Sequence, residues 1–567
     1  MNRNILFLFI LFSISTFSVN AASTLTQGQG IAYYQAGFPL VAKPLLISEI
    51  ESNAATSAEP CFYLGNIYFS ANQLDSAAIC FNKGLTVDPL NSLNSIGLTM
   101  LKIKSSPEVA EQEFKSLLKL KQNKKNIDIY VAIGNAYLFN GVLDKAVSYQ
   151  ENAKEIKSKY APIYVLMGDI ELAKKNTGEA CRNYEQAIYF DDKCKEAYIK
   201  YARAYRNVNS PLAIEKLEVL KSKEPDFLLV DKELADIYYT KNTIEDYTKA
   251  AELYENYLKS GNTNITDLTK YAFTLFLKGD YEKSLEVTNL GLVKAKRNPV
   301  FNRLAMYNNV DLKQPDKALL AANLFFNQTD KPEFTFLDYR YYGQALRDKD
   351  SIYLAIPQFE KALKLDSTRT ELWKDISDMY GKKKDYSKSV VAYSKYLNAL
   401  KEDKKTSDVY MQYGRLFYNM GVADTTLSVI NKKAALQTAD SLFKIVATNE
   451  TDNYRGNYWR ARTNAALDPN VEAEIAKSLY DITTTFVEAK ADTRYNSVLV
   501  ECYRYSGIYY VQRNDNATAI KYFNKMLAIE PNNAFAKNAL QAIASDVKNA
   551  NERAARAAAK AAAKTNK

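Results

Sequence analysis

The sequence predicts an all-α chain built from repeated helical pairs, and three observations lead there. Aromatic, small and proline residues recur along most of the chain with a period of about 34 residues. Within each period large residues stand three or four apart, which marks one buried helix face. A Gly or Ala stands where two such helices must approach closely. At 567 residues the chain is also too long for one compact core, so it needs several domains or an elongated array. Its 47% hydrophobic and 25% charged residues, with few Gly and Pro, are those of a folded protein rather than a disordered one. Tyr is used 42 times against 25 Phe, which suits half-buried faces where a ring packs and its hydroxyl stays wet.

The clearest single period is the last, residues 495–533. Its first helix carries Tyr503, Gly507 and Tyr510, and its second carries Ala519, Phe523 and Met526, with Pro531 at the end. This order of aromatic, Gly, Tyr, Ala, Phe and Pro resembles the tetratricopeptide repeat (TPR). The resemblance implies a TPR-type α-solenoid superhelix of about fourteen helical pairs within residues 22–533. It is strongest at 58–91, 127–190, 336–396 and 496–533, and irregular over 421–495.

Taken in order, residues 27–50 form a degenerate first pair with Tyr33, Tyr34 and Leu45. Leu64-Gly65, Tyr68, Ala77, Phe81 and Pro89 then fall at TPR spacing, and Pro89, without an amide donor, ends its helix. Gly97, Ala110 and Phe114 continue the pattern. Strong copies follow at Tyr130, Ile133-Gly134, Tyr137, Ala146 and Ala153, and at Tyr164, Gly168, Ala180, Tyr184 and Ala187. Four weaker copies centre on Tyr198–Tyr205, Ala235–Tyr254, Tyr271–Ser284 and Leu304–Phe325. The pattern sharpens at Tyr339, Tyr342-Gly343, Ala355, Phe359 and Ala362, and again at Trp373, Ile376, Tyr380, Ser389 and Tyr393. After Tyr410, Gly414 and Phe417, an insertion at 421–433 delays the second helix, which carries Ala439 and Phe443. The stretch from Tyr458 to Pro469 departs from the pattern, and the helix after it lacks Ala-x-x-x-Phe.

Each end of the chain supports two readings. Arg3, the apolar run from Ile5 to Phe12 and the small-x-small site Val19-Asn20-Ala21 read as a signal peptide over residues 1–21. The rival is a membrane anchor, but Ser13, Ser15, Thr16 and Ser18 interrupt a run that would need about 20 apolar residues. No later segment is apolar enough to span a bilayer. Residues 534–567 read as a capping helix and a basic Ala-rich tail. Arg553, Arg556, Lys560 and Lys564 recur at three and four residues, so a helix there shows one basic stripe. The stripe either contacts an anionic envelope surface or is simply a solvated end. The tail holds much of the net charge of +10, and the remainder is too small to mark a nucleic-acid binder. The five cysteines do not form a disulfide framework and read as packing residues.

The chain has no histidine, which excludes His-based acid–base catalysis, Ser-His-Asp and Cys-His arrangements and His-ligated metals. No P-loop, dinucleotide turn or CxxC is present, and Asp191-Asp192 falls in a solvated turn. The expectation is a non-enzymatic protein without cofactor or metal.

In TPR arrays the first helix of each pair lines a concave groove, and its second, fifth, ninth and twelfth positions face the ligand. Carried onto this chain, the N-terminal groove is mixed: Phe62, Asn66, Val131, Asn135 and Asp169. The C-terminal groove is basic and aromatic: Arg340, Gln344, Arg347, Lys374, Arg415, Tyr418, Tyr458, Arg462 and Arg504, with Arg455 beside them and Glu371, Asp378, Asp408 and Glu501 diluting the charge. The pattern does not match the carboxylate clamp of chaperone-binding TPR domains. Arg415 and Arg462 are expected to be exposed. One reading makes these residues a site for an acidic peptide or protein, and the other makes them a soluble helix face. The resulting expectation is an exported scaffold for protein–protein interaction in the periplasm of a Gram-negative bacterium, or else secreted or peripheral on the outer membrane. The alternatives are a glycan or cell-wall binding protein using exposed Tyr and Arg, and, more distantly, an enzyme with a site in 421–470.

Overall fold

The structure is a computed structural model that describes residues 28–52, 57–261 and 264–565. The expected signal peptide lies outside the described residues. Among these residues there are 29 α-helices, two short 3-10 turns and no strand. The first 28 helices form fourteen pairs, the number expected, and a long last helix follows. The described residues divide into two compact units, those up to 314 with 320–332, and 315–319 with those from 333 on.

In the first unit α1 (Gln29–Gln35) pairs with α2 (Pro39–Glu51), α3 (Glu59–Ser70) with α4 (Leu74–Val87), and α5 (Ser92–Met100) with α6 (Pro107–Lys119). Next come α7 (Ile127–Phe139) with α8 (Leu143–Ile156), α9 (Ala161–Ala173) with α10 (Thr177–Phe190), and α11 (Lys195–Tyr205) with α12 (Ser210–Lys223). They are followed by α13 (Leu229–Tyr239) with α14 (Ile244–Leu258), α15 (Ile265–Lys278) with α16 (Tyr281–Lys294), and α17 (Pro299–Asp311), after which comes α18 (Pro315–Gln328), whose residues 315–319 are assigned to the second unit. In the second unit α19 (Phe336–Asp348) pairs with α20 (Ile352–Leu365), α21 (Glu371–Lys382) with α22 (Tyr386–Ala399), and α23 (Ser407–Ala423) with α24 (Val429–Asn449). Then come α25 (Arg455–Leu467) with α26 (Ile475–Lys490), α27 (Asn496–Gln512) with α28 (Asn516–Ile529), and α29 (Ala534–Thr565).

One packing rule holds the pairs together. The small residue of each second helix is sealed: Ala77, Ala146, Ala180, Ala355, Ala439 and Ala519 are all fully buried. The Gly of the first helix lies against a ring of the second. A Cβ on Gly65 would stand 2.2 Å from Phe81, and one on Gly507 would stand 2.3 Å from Phe523. Gly134 faces Ala146 but is pressed more closely by another residue. Its nearest neighbour is Leu166 of the next pair, at 2.6 Å from a Cβ placed there, and the Ala146 carbonyl is 3.5 Å away. In the first pair Leu46, not Leu45, is the buried residue.

Most tyrosines read as interior positions of the repeat, and several are fully buried. Tyr184, Tyr198, Tyr254, Tyr257, Tyr307 and Tyr393 are among the largest fully buried side chains. Many hydroxyls donate to a carboxylate rather than to water: Tyr137 to Glu111 at 2.6 Å, Tyr184 to Asp169 at 2.7 Å, and Tyr503 to Glu488 at 2.5 Å. A buried ring whose hydroxyl reaches a charged acceptor combines apolar packing with a strong directional bond. All five cysteines are free, with Cys61, Cys181 and Cys502 buried.

The 421–433 insertion does not delay the second helix. α23 runs on to Ala423, and α24 starts early at Val429, so the extra residues lengthen both helices. Asp424 accepts from the Thr426 amide at 2.9 Å in the turn, and Ser428 caps α24 at the Asn431 amide. The irregular α26 buries Leu479, Tyr480, Thr483 and Val487 in place of the Ala and Phe of its counterparts.

Candidate functional site

The first helices of the second unit carry the nine predicted residues: Arg340, Gln344 and Arg347 on α19, Lys374 on α21, Arg415 and Tyr418 on α23, Tyr458 and Arg462 on α25, and Arg504 on α27. α19 starts at a capping box in which Asp338 reaches back to the Thr335 amide at 2.7 Å. The nine residues do not form one continuous surface. They fall into two clusters and an outlier.

The first group includes the cations Arg340, Arg347 and Lys374 within electrostatic reach of Asp375, a residue that the repeat pattern does not single out. Burial raises the Asp375 carboxyl above the usual range, while Arg347, Arg340 and Lys374 pull it back down. Arg340, Gln344, Arg347 and Lys374 are all half-buried. Arg347 also pairs with its neighbour Asp348 at 3.3 Å. Arg340 and Lys374 have no ion pair among the described residues.

The second cluster is built on Trp459. Its ring lies edge-on to Tyr418 at 5.3 Å and against Phe443 at 5.4 Å. The Arg462 guanidinium stands 4.6 Å from the Trp459 ring centre, with Tyr418 at 5.5 Å and Tyr458 at 5.7 Å. The Arg415 guanidinium is 5.1 Å from the same Trp459 ring. Glu501 of α27 ties the cluster down: it pairs with Arg462 at 3.0 Å and accepts from the hydroxyls of Tyr458 at 2.7 Å and Tyr480 at 3.2 Å. Arg462 is therefore not the exposed cation expected. It is half-buried and neutralised, because Glu501 from the next pair projects onto it. Arg415 is exposed, as expected, with no ion pair among the described residues. Arg455 pairs with Glu450 and with Asp408 at 2.7 Å, so it adds no free charge.

Arg504 is the outlier, exposed and 4.4 Å from the ring of Phe535 at the start of α29. A surface depression in this unit, about 670 Å³, is lined by α26 and its start, including Lys477, Asp481 and Phe486. Tyr458, Trp459 and Arg462 do not line it.

The N-terminal ligand-facing positions are mostly covered. Phe62, Asn66 and Val131 are buried, and Asn135 and Asp169 are half-buried. Asp169 accepts from Tyr184 and pairs with Lys200. The sequence pattern did not mark Asp375 or Tyr480, since nothing local reports which polar groups a neighbouring helix will enclose. Among the described residues no cluster of His, Cys, Asp and Glu could hold a metal ion, and no helix is long and apolar enough to cross a membrane.

The family model of the tetratricopeptide repeat matches residues 58–89, 127–160 and 161–194. The chain carries tetratricopeptide repeats. A TPR repeat-containing protein of Methanocaldococcus jannaschii is 22% identical over 496 residues, spanning 80% of this chain and 79% of that one. Among solved structures, the C-terminal part of a TPR repeat-containing protein from Cytophaga hutchinsonii is 25% identical, covers 48% of this chain and 99% of its own, and has a TM-score of 0.39. A chain of the APC/C hetero-tetramer Cut9-Hcn1 matches at 16% identity over 88% of this chain and 98% of its own, with a TM-score of 0.27. The type IV pilus biogenesis factor PilW matches at 18% over 37% and 96%, with a TM-score of 0.31. TPR arrays are protein-interaction scaffolds, and stacked repeats offer the extended surfaces that role needs.

Proposed function

We propose that this TPR protein is an exported, non-catalytic scaffold of the bacterial cell envelope, in the periplasm, that binds an acidic segment of a partner protein along the first helices of its second unit. One observation carries the reading: Arg340, Lys374, Arg415 and Arg504 stand on the first helices α19, α21, α23 and α27 without an ion pair among the described residues, while the arginines of α25 between them are paired. Guanidinium forks suit carboxylates, and the Tyr418 and Tyr458 rings add contact area at low entropy cost. A glycan reading has less support, because the Trp459 ring is already packed by Phe443, Arg415 and Arg462. The signal-like N-terminus supports export. The exposed basic residues Arg553, Arg556 and Lys560 of α29 support a second, salt-sensitive contact with anionic envelope material.

The test is a pull-down from the cell envelope followed by titration of the recovered partner at two salt concentrations. Because Arg462 is anchored, the informative variant is Arg415→Glu with Arg504→Glu, both exposed. A hydrogen bond to a charged group contributes about 1.5–3 kcal/mol, so affinity should fall at least about tenfold with melting unchanged. Unchanged affinity would refute the assignment.

A further inference from the structure

The first helical pair breaks the nearest-neighbour rule of a solenoid. It packs on α3 as expected, with Ala42 and Leu46 against Leu64 and Ile67. Its turn, however, reaches α11 and α13, far along the chain. Arg203 of α11 donates from Nη1 to the Gly37 carbonyl at 2.7 Å and from Nη2 to Glu233 at 2.7 Å. The same guanidinium lies 4.9 Å from the Phe38 ring. Phe38 is 4% exposed and meets Phe227 edge-on at 6.1 Å, and Ala36 and Val41 join Ile199, Ala202, Leu229 and Val230 in one buried cluster.

The rest of the hairpin faces ligand-type positions. Tyr34 packs on Tyr63 at 5.1 Å, and Gln35 donates to the Tyr63 hydroxyl at 3.0 Å. The Tyr34 hydroxyl is enclosed by Asn66 of α3 and by Glu196 and Lys200 of α11. Asn66 is one of the residues that TPR resemblance assigns to ligand, and here the protein's own N-terminal hairpin covers it. The covering element is slight. α1 has seven residues and no side-chain cap, and α2 carries Pro44 in its interior. A helix this short has little stability of its own and depends on what it docks against.

We propose that the α1–α2 hairpin is an intramolecular ligand. It occupies the first-helix face of the first unit between α3, α11 and α13, and it leaves that face as one piece to admit a partner segment with the same features, an aromatic side chain next to a free backbone carbonyl. The carbonyl is read by Arg203, which Glu233 holds in place, and the ring is received by Phe227 and the Arg203 face. This site is independent of the cationic surface of the second unit.

The probe is a labelled synthetic peptide of residues 28–52, added to the full chain. The wild-type protein should not bind it, because its own hairpin is seated. The full-length variant Phe38→Asp, which releases its own hairpin, should bind the wild-type peptide at least tenfold more tightly than it binds a peptide carrying Phe38→Asp. Hydrogen exchange of that variant should speed up over residues 30–46 and stay protected over α14–α16. In the full chain, Arg203→Ala should likewise speed exchange over 30–46. Equal peptide binding by wild type and variant, no binding by a variant whose hairpin has come loose, or loss of protection across the whole first unit would overturn the proposal. The last outcome, including a variant that fails to fold, would make the hairpin a fixed part of the core.

Discussion

Arg462 and Arg415 look alike in the sequence, and Glu501 is what separates them. Arg462 is paired at 3.0 Å and wrapped by rings, whereas Arg415 keeps its charge exposed. Reversing Arg462 would place a second carboxylate beside Glu501 and leave it without its cation, a destabilising change rather than a neutral one. Asp375 has a different role. Its folded carboxyl sits above the ordinary value, because burial outweighs Arg347, Arg340 and Lys374. As pH falls through that raised value the proton goes on, and the three cations lose an internal counter-charge before an exposed ligand carboxylate is protonated. Binding of an acidic partner should therefore strengthen on mild acidification by about threefold, a share of the roughly 1 kcal/mol of a solvated charge contact. Titration at two pH values checks this, and Asp375→Asn should remove the dependence. The sign is opposite for Glu233 and Asp236 in the first unit. Burial alone would raise them, but Arg203 and Lys232 for Glu233, and Lys232 and Lys270 for Asp236, hold both below the ordinary value. Their contribution to stability is present above the unfolded value and is lost as pH falls through the folded one.

At the scale of the helix, the turn inside many of the pairs holds a residue in the left-handed region. Gly279 has φ of 89°, and after it the Asp280 amide closes back on the Leu275 carbonyl at 2.9 Å. Lys175, Lys313 and Lys384 sit at the same kind of turn with φ of 65°, 57° and 60°. A side chain in that region costs about 1–2 kcal/mol. Gly279→Ala should therefore cost about 1 kcal/mol after allowing for the smaller entropy of the unfolded Ala chain. Lys384→Gly should recover up to about 1 kcal/mol, by the same reasoning in reverse. Urea unfolding of the two variants tests both signs. The long α23 and α24 follow the same local logic: a Ser cap and an Asp-Thr turn between helix-compatible stretches let most of the insertion become additional helical turns.

Across the array, stability is spread over neighbouring pairs. Gly134→Leu would drive a side chain into Leu166 of the next pair, at a cost of roughly 1–3 kcal/mol. Hydrogen exchange should loosen mainly between residues 92 and 194, since each pair couples chiefly to the pairs beside it. Uniform loosening along the chain would contradict that coupling. The first pair is the exception in the first unit, because Arg203 joins it to α11 directly.

The sequence by itself determined the helical pairs, their period and the small-against-large positions, because each of these is set by contacts three or four residues apart and by the adjoining repeat. Gly65 with Phe81, and Gly507 with Phe523, were legible for that reason. The tertiary structure decided which charges survive and which surfaces stay open. Glu501 reaches Arg462 from the following pair, and Asp375 is enclosed partly by cations of the preceding one. Gly37 meets Arg203 only because small rotations from pair to pair bring α11 back to the start of the chain. No local pattern carries those sums, so the cationic candidates could be read in advance while their partners, and the hairpin that covers the N-terminal positions, could not.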